Sequence, residues 1–241
     1  MGKKRRRWWR WAVALGMALV AIALGVCWLM FQHVPTWYRP PMIAPAYHQR
    51  VRDDLQVTFD AVQETVQHET RPVEHRFTQD QINAWLAISE AIWPWSREWL
   101  PPGVSDPFVA IDEDGVRLAV TYRHGGIRTV MSARLEITAE TSGIRVRLAE
   151  VSTGQLNVPR SWVREQLAEL DEDAWPAGKR SDLQHGGGVL PEIEGLFDGV
   201  VFPDTWVWKY GDKPFRITDV RFEPGAIAIT FEPLPRQEAR R

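Results

Sequence analysis

Cysteine is almost absent from this chain of 241 residues: Cys27 is the only one, and it lies inside a long uncharged apolar run. The part of the chain that follows this run therefore has no disulfide of its own and no thiolate metal site. Common catalytic and nucleotide-binding motifs are also missing, because the sequence contains no G-x-S-x-G, no P-loop and no G-x-G-x-x-G.

Histidine and acidic residues give no pattern that is typical of a metal site. The six histidines are scattered along the chain, and no two of them have helical ligand spacing beside a carboxylate. The sequence Asp112-Glu113-Asp114-Gly115 lacks the ligand spacing of a calcium loop and predicts a hairpin turn instead. We therefore predict a protein that is not an enzyme, with no catalytic residues, no metal and no cofactor.

Positive charge is concentrated at the N-terminus and scarce elsewhere. Six of the 29 Lys and Arg residues lie in residues 3–10, and the rest of the chain has 23 basic and 31 acidic residues, a formal charge of −8. An acidic exterior repels the phosphate backbone of nucleic acids. We therefore expect no nucleic acid among the partners of the main domain.

The run from Trp11 to Phe31 contains no charged residue and predicts a transmembrane helix. A helix of this length spans about 30 Å, the thickness of the hydrocarbon core of a bilayer. Its boundary residues Trp11 and Phe31 are aromatic, as is typical of membrane interfaces, and Cys27 lies within the span. The basic cluster precedes the run, which predicts a single-pass membrane protein with a cytoplasmic N-terminus and an extracytoplasmic C-terminal domain, periplasmic or on the cell surface.

Three alternatives to a retained membrane anchor fit the apolar run less well. A cleavable signal peptide has an apolar region of about 7–15 residues and a small-residue cleavage site, whereas this run is longer and ends in bulky residues. A lipidated Cys27 would follow a small residue, but Val26 precedes it. A buried helix of a soluble protein normally has some polar positions, and this run has none.

The whole chain divides into four parts. Residues 1–33 comprise the basic N-terminus and the anchor, and residues 34–45 contain four prolines, which predict an extended spacer that holds the domain slightly off the membrane. Residues 46–235 form the predicted extracytoplasmic domain. Residues 236–241 are a polar tail.

Helices are predicted at four places in this domain. Apolar residues recur every three or four positions over Tyr47–Glu69, which predicts a helix packed on a sheet, with a helix lying on lipid as the alternative. A capping-box pattern at Thr78 and Gln81 begins a second helix that runs from Gln79 to about Ile92. Two further helices are predicted over Arg160–Leu170 and Val189–Val200, separated by a polar, glycine-rich loop over residues 171–188.

Strict alternation of apolar and polar residues predicts four strands: Phe108–Asp112, Val116–Arg123, Ile127–Ala139 and Ile144–Ser152. A short extended segment is predicted over Arg71–Phe77, and a second set of strands is predicted over Trp206–Tyr210, Pro214–Phe222 and Ala226–Glu232. Short glycine-bearing turns join the middle strands, which predicts an antiparallel meander. The apolar parity changes near Thr218-Asp219, which predicts a β-bulge. The predicted class is α+β: an N-terminal transmembrane helix followed by a twisted antiparallel β-sheet domain packed by two or three helices.

One face of the predicted meander is rich in arginine. Glutamates lie near these arginines along the strands, so we expect cross-strand ion pairs, with an anion-binding face as the alternative. A second feature is the loop over residues 93–102, which contains three of the 13 tryptophans. Such a loop either forms an exposed interaction site or closes the end of the core.

The order of these elements resembles that of the YpmS-like membrane-anchored envelope proteins of unknown function, and also that of small TULIP-type lipid-binding domains. The resemblance rests on a helix start with Phe77, Thr78, Ile82, Asn83, Trp85 and Leu86, and on Gly154, Leu156, Val158 and Pro159 before a later helix. It implies a curled antiparallel sheet that wraps a helix and leaves an apolar groove.

These observations lead to two hypotheses of function. The first is an envelope protein that binds a lipid or another amphiphile in an apolar groove between sheet and helix, lined by Trp85, Leu86, Trp93, Trp95 and Trp99. The second is a structural or assembly partner in a membrane-associated envelope or secretion complex, with the Trp-rich loop contacting another envelope protein. In both hypotheses the bilayer itself is a partner of the N-terminal helix.

Overall fold

The structure, a computed structural model, describes residues 2–94, 100–140, 143–165, 193–202, 205–207 and 213–235. Helix α1, Gly2–Gln32, contains the whole apolar run. Its segment Val13–Gln32 is long and apolar enough to cross a membrane, and none of that segment is buried within the protein. A helix from the core of a soluble domain would be mostly buried, so this exposure argues against the buried-helix alternative.

Three more α-helices and several short helical turns follow. The helices are α2 (His48–His68), α3 (Gln79–Ala87) and α4 (Ser89–Ile92). Residues 160–165 are also helical, and short 3-10 helices cover Pro45–Tyr47 and Ile193–Phe197. The predicted continuation of the helix to Leu170, the loop over residues 171–188 and the polar tail lie outside the described residues.

The described residues contain ten β-strands. They are β1 (Val73–Thr78), β2 (Val104–Asp112), β3 (Gly115–His124), β4 (Ile127–Glu140), β5 (Gly143–Thr153), β6 (Leu156–Asn157), β7 (Val200–Phe202), β8 (Thr205–Val207), β9 (Pro214–Glu223) and β10 (Ala226–Pro233).

The strands form two antiparallel sheets. Sheet A has the order β1-β10-β9-β8, and sheet B has the order β2-β3-β4-β5-β6, with β7 also paired to β5. The predicted α+β class with antiparallel strands is confirmed. The division into two sheets was not specified by the strand pattern, because alternation indicates which side chains share a face but not which strands pair.

The predicted β-bulge is present in β9. Asp219 pairs with Thr230 of β10 and Ile217 pairs with Phe231, so Thr218 is the extra residue. The bulge reverses the parity of the side chains. Phe215 therefore joins the core under α2, whereas Phe222 joins a different core cluster between the two sheets.

Helix α2 packs on sheet A, as predicted for an amphipathic helix in this position. Val62 and Val66 form a buried cluster with Phe215 and Phe231 of the sheet. Burying these side chains removes them from water and stabilises the domain. The apolar face of α2 is thus in contact with the sheet at this point, which favours the packed helix over the helix lying on lipid.

Helix α3 covers the edge of sheet B. Its predicted capping box is confirmed, since Thr78 and Gln81 exchange side-chain to backbone hydrogen bonds. The Asn83 amide donates to the carbonyl oxygen of Val109 and accepts from the N–H of Val109, both over 2.7 Å, and Gln79 accepts from the N–H of Ile111 over 2.8 Å. These side chains pair with backbone groups of the edge strand β2, which would otherwise be open to another strand.

Three local predictions differ from the structure. The helix predicted to run from Gln79 to Ile92 is interrupted at Ile88, which leaves the helical conformation and is buried. The helix predicted over Val189–Val200 is, within the described residues, a short 3-10 helix followed by strand β7. Strand β6 was not predicted, because two residues are too few to show an alternating pattern.

Candidate functional site

The C-terminal end of α1 is attached to sheet B by hydrogen bonds. The Thr129 hydroxyl donates to the carbonyl oxygen of Phe31 over 2.6 Å. The N–H of Gln155 donates to the carbonyl oxygen of Met30 over 2.9 Å. The last carbonyl groups of a helix have no partner within the helix. Two of these groups in α1 are therefore satisfied by sheet B and the turn that follows β5, which fixes the end of α1 against the domain.

Gly154 makes this close approach feasible. It lies in the turn between β5 and β6 with a φ of +59°, in the left-handed region that favours glycine. A Cβ at this position would overlap the carbonyl oxygens of Met30 and Phe31. The glycine thus serves both the turn geometry and the contact with α1.

The proline-rich segment 34–45 packs on the sheet instead of standing apart from the domain. Tyr38 is buried in a cluster with Phe108, Ala119 and Val130. Its hydroxyl donates to the carbonyl oxygen of Asp106 over 2.6 Å and lies 2.8 Å from the hydroxyl of Thr121. Burial raises the pKa of Tyr38, so the phenol stays protonated. The segment is thus packed against the domain at Tyr38, and its role as a spacer next to a membrane stays a prediction.

A cavity of about 470 Å³, with both polar and apolar lining residues, lies at the junction of α1, the proline-rich segment and sheet B. This volume is within the range of small-molecule sites. We call this cavity the junction cavity. It is lined by Met30, His33, Pro35, Thr36, Trp37, Arg117, Ser132, Arg134, Glu150, Ser152, Gly154, Gln155 and Asn157. The end of α1 and the segment after it form one side, and one face of β3, β4 and β5 forms the other.

Arg117 and Arg134 are the two basic residues in this lining. They lie directly opposite each other on β3 and β4. The Arg117 guanidinium lies over the Trp37 ring, 5.0 Å from its centre. Arg134 donates from Nη2 to Asp114 over 2.9 Å, while its Nε is buried and has no hydrogen-bond acceptor among the described residues.

Two other arginines of this face form the expected cross-strand ion pairs. Arg147 pairs with Glu136 directly opposite it, and Arg145 pairs with Glu140 over 2.5 Å. The hydrogen bonds from Arg145 lower the pKa of the Glu140 carboxyl. The prediction of cross-strand pairs is therefore confirmed for this end of the face, whereas Arg117 and Arg134 are arranged differently.

The residues predicted to line an apolar groove have separate locations. Trp85 is 9% exposed, and its ring lies tilted against that of Phe59 of α2, with 6.5 Å between the ring centres. Its Nε1 donates to Asp54 over 3.3 Å. Leu86 packs against the cluster of Val109, Ile111 and Val116. These two side chains therefore belong to the packed interior.

The remaining predicted groove residues come from the Trp-rich loop. Trp93 directly follows α4 and is partly buried. Trp95 and Trp99 lie outside the described residues. The choice between an exposed interaction site and a closure of the core thus stays a prediction for this loop.

The predicted anchor residues all lie in α1. Cys27 is exposed on the helix surface, and Phe31 is partly buried near Trp28, with 5.9 Å between the ring centres. Trp11 lies in the part of α1 for which only the backbone is described. The described apolar residues of α1 before Met30 are exposed, whereas Met30 and Phe31 are partly buried.

The described part of the chain holds no group of three or more His, Cys, Asp or Glu residues that could bind a metal ion. The junction cavity presents guanidinium, hydroxyl and amide groups and one carboxylate, together with the apolar side chains of Met30, Pro35 and Trp37. Sequence reasoning identified the Arg-rich face but not the cavity. The signal in the sequence was two arginines at equivalent positions of neighbouring strands, and the missing information was that the chain after α1 folds over them.

Comparison with protein-family models, with curated proteins and with solved structures finds no match. The functional argument therefore rests on the geometry of the junction cavity and on the sequence.

Proposed function

We propose that this protein is a single-pass membrane protein whose antiparallel-sheet domain binds a membrane amphiphile, without catalysis, in the junction cavity. The observation that carries the proposal is the position of this cavity. Met30 and His33, at the end of the apolar helix, line it together with polar residues of sheet B. A ligand at this place would contact both the membrane-proximal end of the anchor and the folded domain.

The exposed surface of α1 supports an amphiphilic ligand. Leu29 is 69% exposed and Trp28 is 49% exposed, one turn before the cavity. In a bilayer these side chains face acyl chains, whereas the cavity presents guanidinium, hydroxyl and amide groups. The apolar and polar surfaces thus meet where the tail and the headgroup of a lipid meet.

The attachment of α1 to the sheet supports the same function. A cavity between an anchor and a freely tethered domain would not keep its shape, but here the hydrogen bonds of Thr129 and Gln155 hold the two elements together. A binding site with a fixed shape loses less conformational entropy when it takes up a ligand. In our proposal the basic N-terminus lies in the cytoplasm and the domain lies on the opposite side of the membrane.

Native mass spectrometry of the full-length protein, released from a mild nonionic detergent, tests this function. We expect a fraction of the protein to retain a lipid-sized mass. Ser132→Trp would fill the cavity and should remove this mass. Thr138→Trp is the matched control, because it lies on the same strand and face but outside the cavity.

A protein that retains no lipid from any membrane extract would contradict the proposal. Equal retention by the two tryptophan variants would also contradict it, because the lipid would then be bound elsewhere. If a partner protein were retained instead of lipid, the alternative of an assembly partner would replace it.

A further inference from the structure

We propose that the junction cavity recognises the phosphate group of a membrane phospholipid through Arg117 and Arg134. This inference rests on the proposed function, because it assigns a ligand class to the same cavity. It goes further in stating which part of the lipid is bound and which side chains bind it.

The first argument is the placement of two like charges. Arg117 and Arg134 are direct cross-strand partners in the register of β3 and β4. Like charges directly opposite each other in an antiparallel pair destabilise the sheet. Asp114 and Asp112 offset part of this repulsion at Arg134. A bound anion between the two guanidinium groups would offset the rest and add charge-assisted hydrogen bonds.

The second argument concerns the donors of Arg117. Within the part of the chain that the structure describes, its guanidinium packs on the face of Trp37 and has no acidic partner. The stacking orients the guanidinium without using its N–H groups as hydrogen-bond donors. These donors are therefore available to an oxygen-rich ligand in the cavity.

The third argument concerns the donors of Arg134. Its Nη2 is held by Asp114 over 2.9 Å, with Asp112 at 3.6 Å, whereas its buried Nε has no acceptor among the described residues. This Nε has almost no accessible surface, so a ligand would contact other atoms of the guanidinium. The aspartates hold the guanidinium in place while 24% of the side chain stays exposed, and a phosphate in the cavity would contact that exposed part.

The charge of the cavity fits a ligand with a single negative charge. Glu150 is the one carboxylate among the lining residues, and it accepts a hydrogen bond from Ser152 over 2.9 Å. Arg134 is already paired with Asp114 and Asp112, which leaves Arg117 as the guanidinium of the lining without a carboxylate partner among the described residues. A phosphodiester carries one negative charge, and Ser132 and Asn157 provide neutral groups for the rest of a headgroup.

The source of the phosphate is a lipid rather than a free ion because of the neighbouring helix. The cavity begins at Met30, within the last turn of a helix whose apolar side chains are exposed. The headgroup region of a bilayer lies at the end of such a span. A phospholipid can place its phosphate between the arginines while its acyl chains remain in contact with α1.

The test uses full-length protein, delipidated in a nonionic detergent, and three probes: dioleoylphosphatidylglycerol, dioleoylglycerol and inorganic phosphate. Binding is measured by titration with native mass spectrometry. We expect phosphatidylglycerol to bind at least about tenfold more tightly than dioleoylglycerol, since only the former offers charge-assisted hydrogen bonds. Inorganic phosphate should compete with the lipid only at far higher concentration.

Arg117→Gln should weaken phosphatidylglycerol binding about tenfold and leave the binding of dioleoylglycerol unchanged. It is the preferred variant because Arg117 has no structural ion pair among the described residues. Arg134→Lys, which keeps the charge and loses the planar fork, should weaken binding to a smaller extent. Arg221→Gln is the control, because Arg221 lies in sheet A, where it pairs with Glu74 and Asp219.

The possible outcomes separate the two proposals. Equal binding of both lipids, or an unchanged affinity in Arg117→Gln, would overturn phosphate recognition and leave amphiphile binding intact. Equal potency of inorganic phosphate and phospholipid would replace the lipid by a free anion. No binding of either lipid would overturn the proposed function itself.

Discussion

The hydroxyl of Thr129 donates a hydrogen bond of 2.6 Å to the carbonyl oxygen of Phe31, a residue 98 positions earlier in the chain. Thr129 is 1% exposed, and its hydroxyl also lies 3.1 Å from that of Thr153. A buried threonine of the sheet therefore caps the end of the apolar helix. This contact joins α1 to sheet B close to the junction cavity, which the neighbouring residues Met30 and Gly154 line.

The glycine in the adjacent turn gives the sharpest test of this attachment. Gly154→Ala should destabilise the protein by about 2–4 kcal/mol, because the new Cβ has both an unfavourable φ and an overlap with the carbonyl oxygens of Met30 and Phe31. Gly125→Ala is the matched control, with a φ of +55° and no atom within 4 Å of the new Cβ. It should cost only about 1 kcal/mol.

Chemical unfolding of the full-length protein measures both changes. Hydrogen exchange of the Gln155 N–H, which is bonded to Met30, should become faster in Gly154→Ala but not in Gly125→Ala. Equal effects of the two substitutions would mean that α1 is not held at this turn.

The phenol of Tyr38 should stabilise the packing of the proline-rich segment. Tyr38→Phe removes the hydrogen bonds to Asp106 and Thr121, and Thr121 is fully buried, so we expect a loss of about 1–3 kcal/mol. Tyr47→Phe, at a residue that is 59% exposed, should change the stability by less than about 0.5 kcal/mol. Denaturant midpoints of the two variants provide the comparison, and a Tyr38→Phe protein as stable as Tyr47→Phe would refute this role.

The side-chain amide of Asn83 should be essential to the contact between α3 and β2. Asn83→Leu leaves the N–H and C=O of Val109 without their partner, and we expect a loss of roughly 2–4 kcal/mol, since both groups are buried by the helix. Gln49→Leu is a control that removes only an exposed bond to Asp53. In thermal unfolding, the melting temperature of Asn83→Leu should lie several degrees below that of Gln49→Leu. Similar melting temperatures would contradict the role of Asn83.

Acid should weaken the fold through His75. Burial lowers the pKa of this histidine below its ordinary value of 6.5, and its Nε2 lies 2.8 Å from the hydroxyl of Thr65. The unfolded chain therefore binds a proton more readily than the native protein does. The stabilising contribution is complete above pH 6.5 and is lost as the pH falls from there through the lower pKa of the folded state.

His75→Gln should flatten the fall in stability between pH 6.5 and the onset of carboxylate titration. His68→Gln, at a side chain that is 66% exposed, should leave the decrease of stability with falling pH as it is in the unmodified protein. Unfolding midpoints at a series of pH values test this expectation, which is wrong if the two variants have the same pH profile.

Glu150 provides a further test of ligand charge. Glu150→Gln removes the carboxylate from the cavity lining and should raise the affinity for phosphatidylglycerol several-fold, because it reduces repulsion of the phosphate. Titration with the same lipid measures the change. A weaker affinity would mean that Glu150 supports the site, either by accepting hydrogen bonds from the glycerol hydroxyls or by positioning Arg134, its cross-strand partner.

The amino-acid sequence by itself determined the local elements of this protein. The uncharged run around Cys27 dictates a long apolar helix, the capping box fixes the start of α3 at Thr78, and the change of parity in β9 places the bulge near Thr218. These features depend on residues that are close in the chain, so their spacing is visible in the sequence.

Tertiary structure decided how these elements meet. Arg117 and Arg134, unlike the other arginines of the same face, line the junction cavity. They do so because the proline-rich segment brings Trp37 over β3. The interior location of Trp85 likewise depends on α2 and α3 packing together. Such contacts join residues far apart in the chain, and periodicity can indicate that a face is covered but not which distant segment covers it.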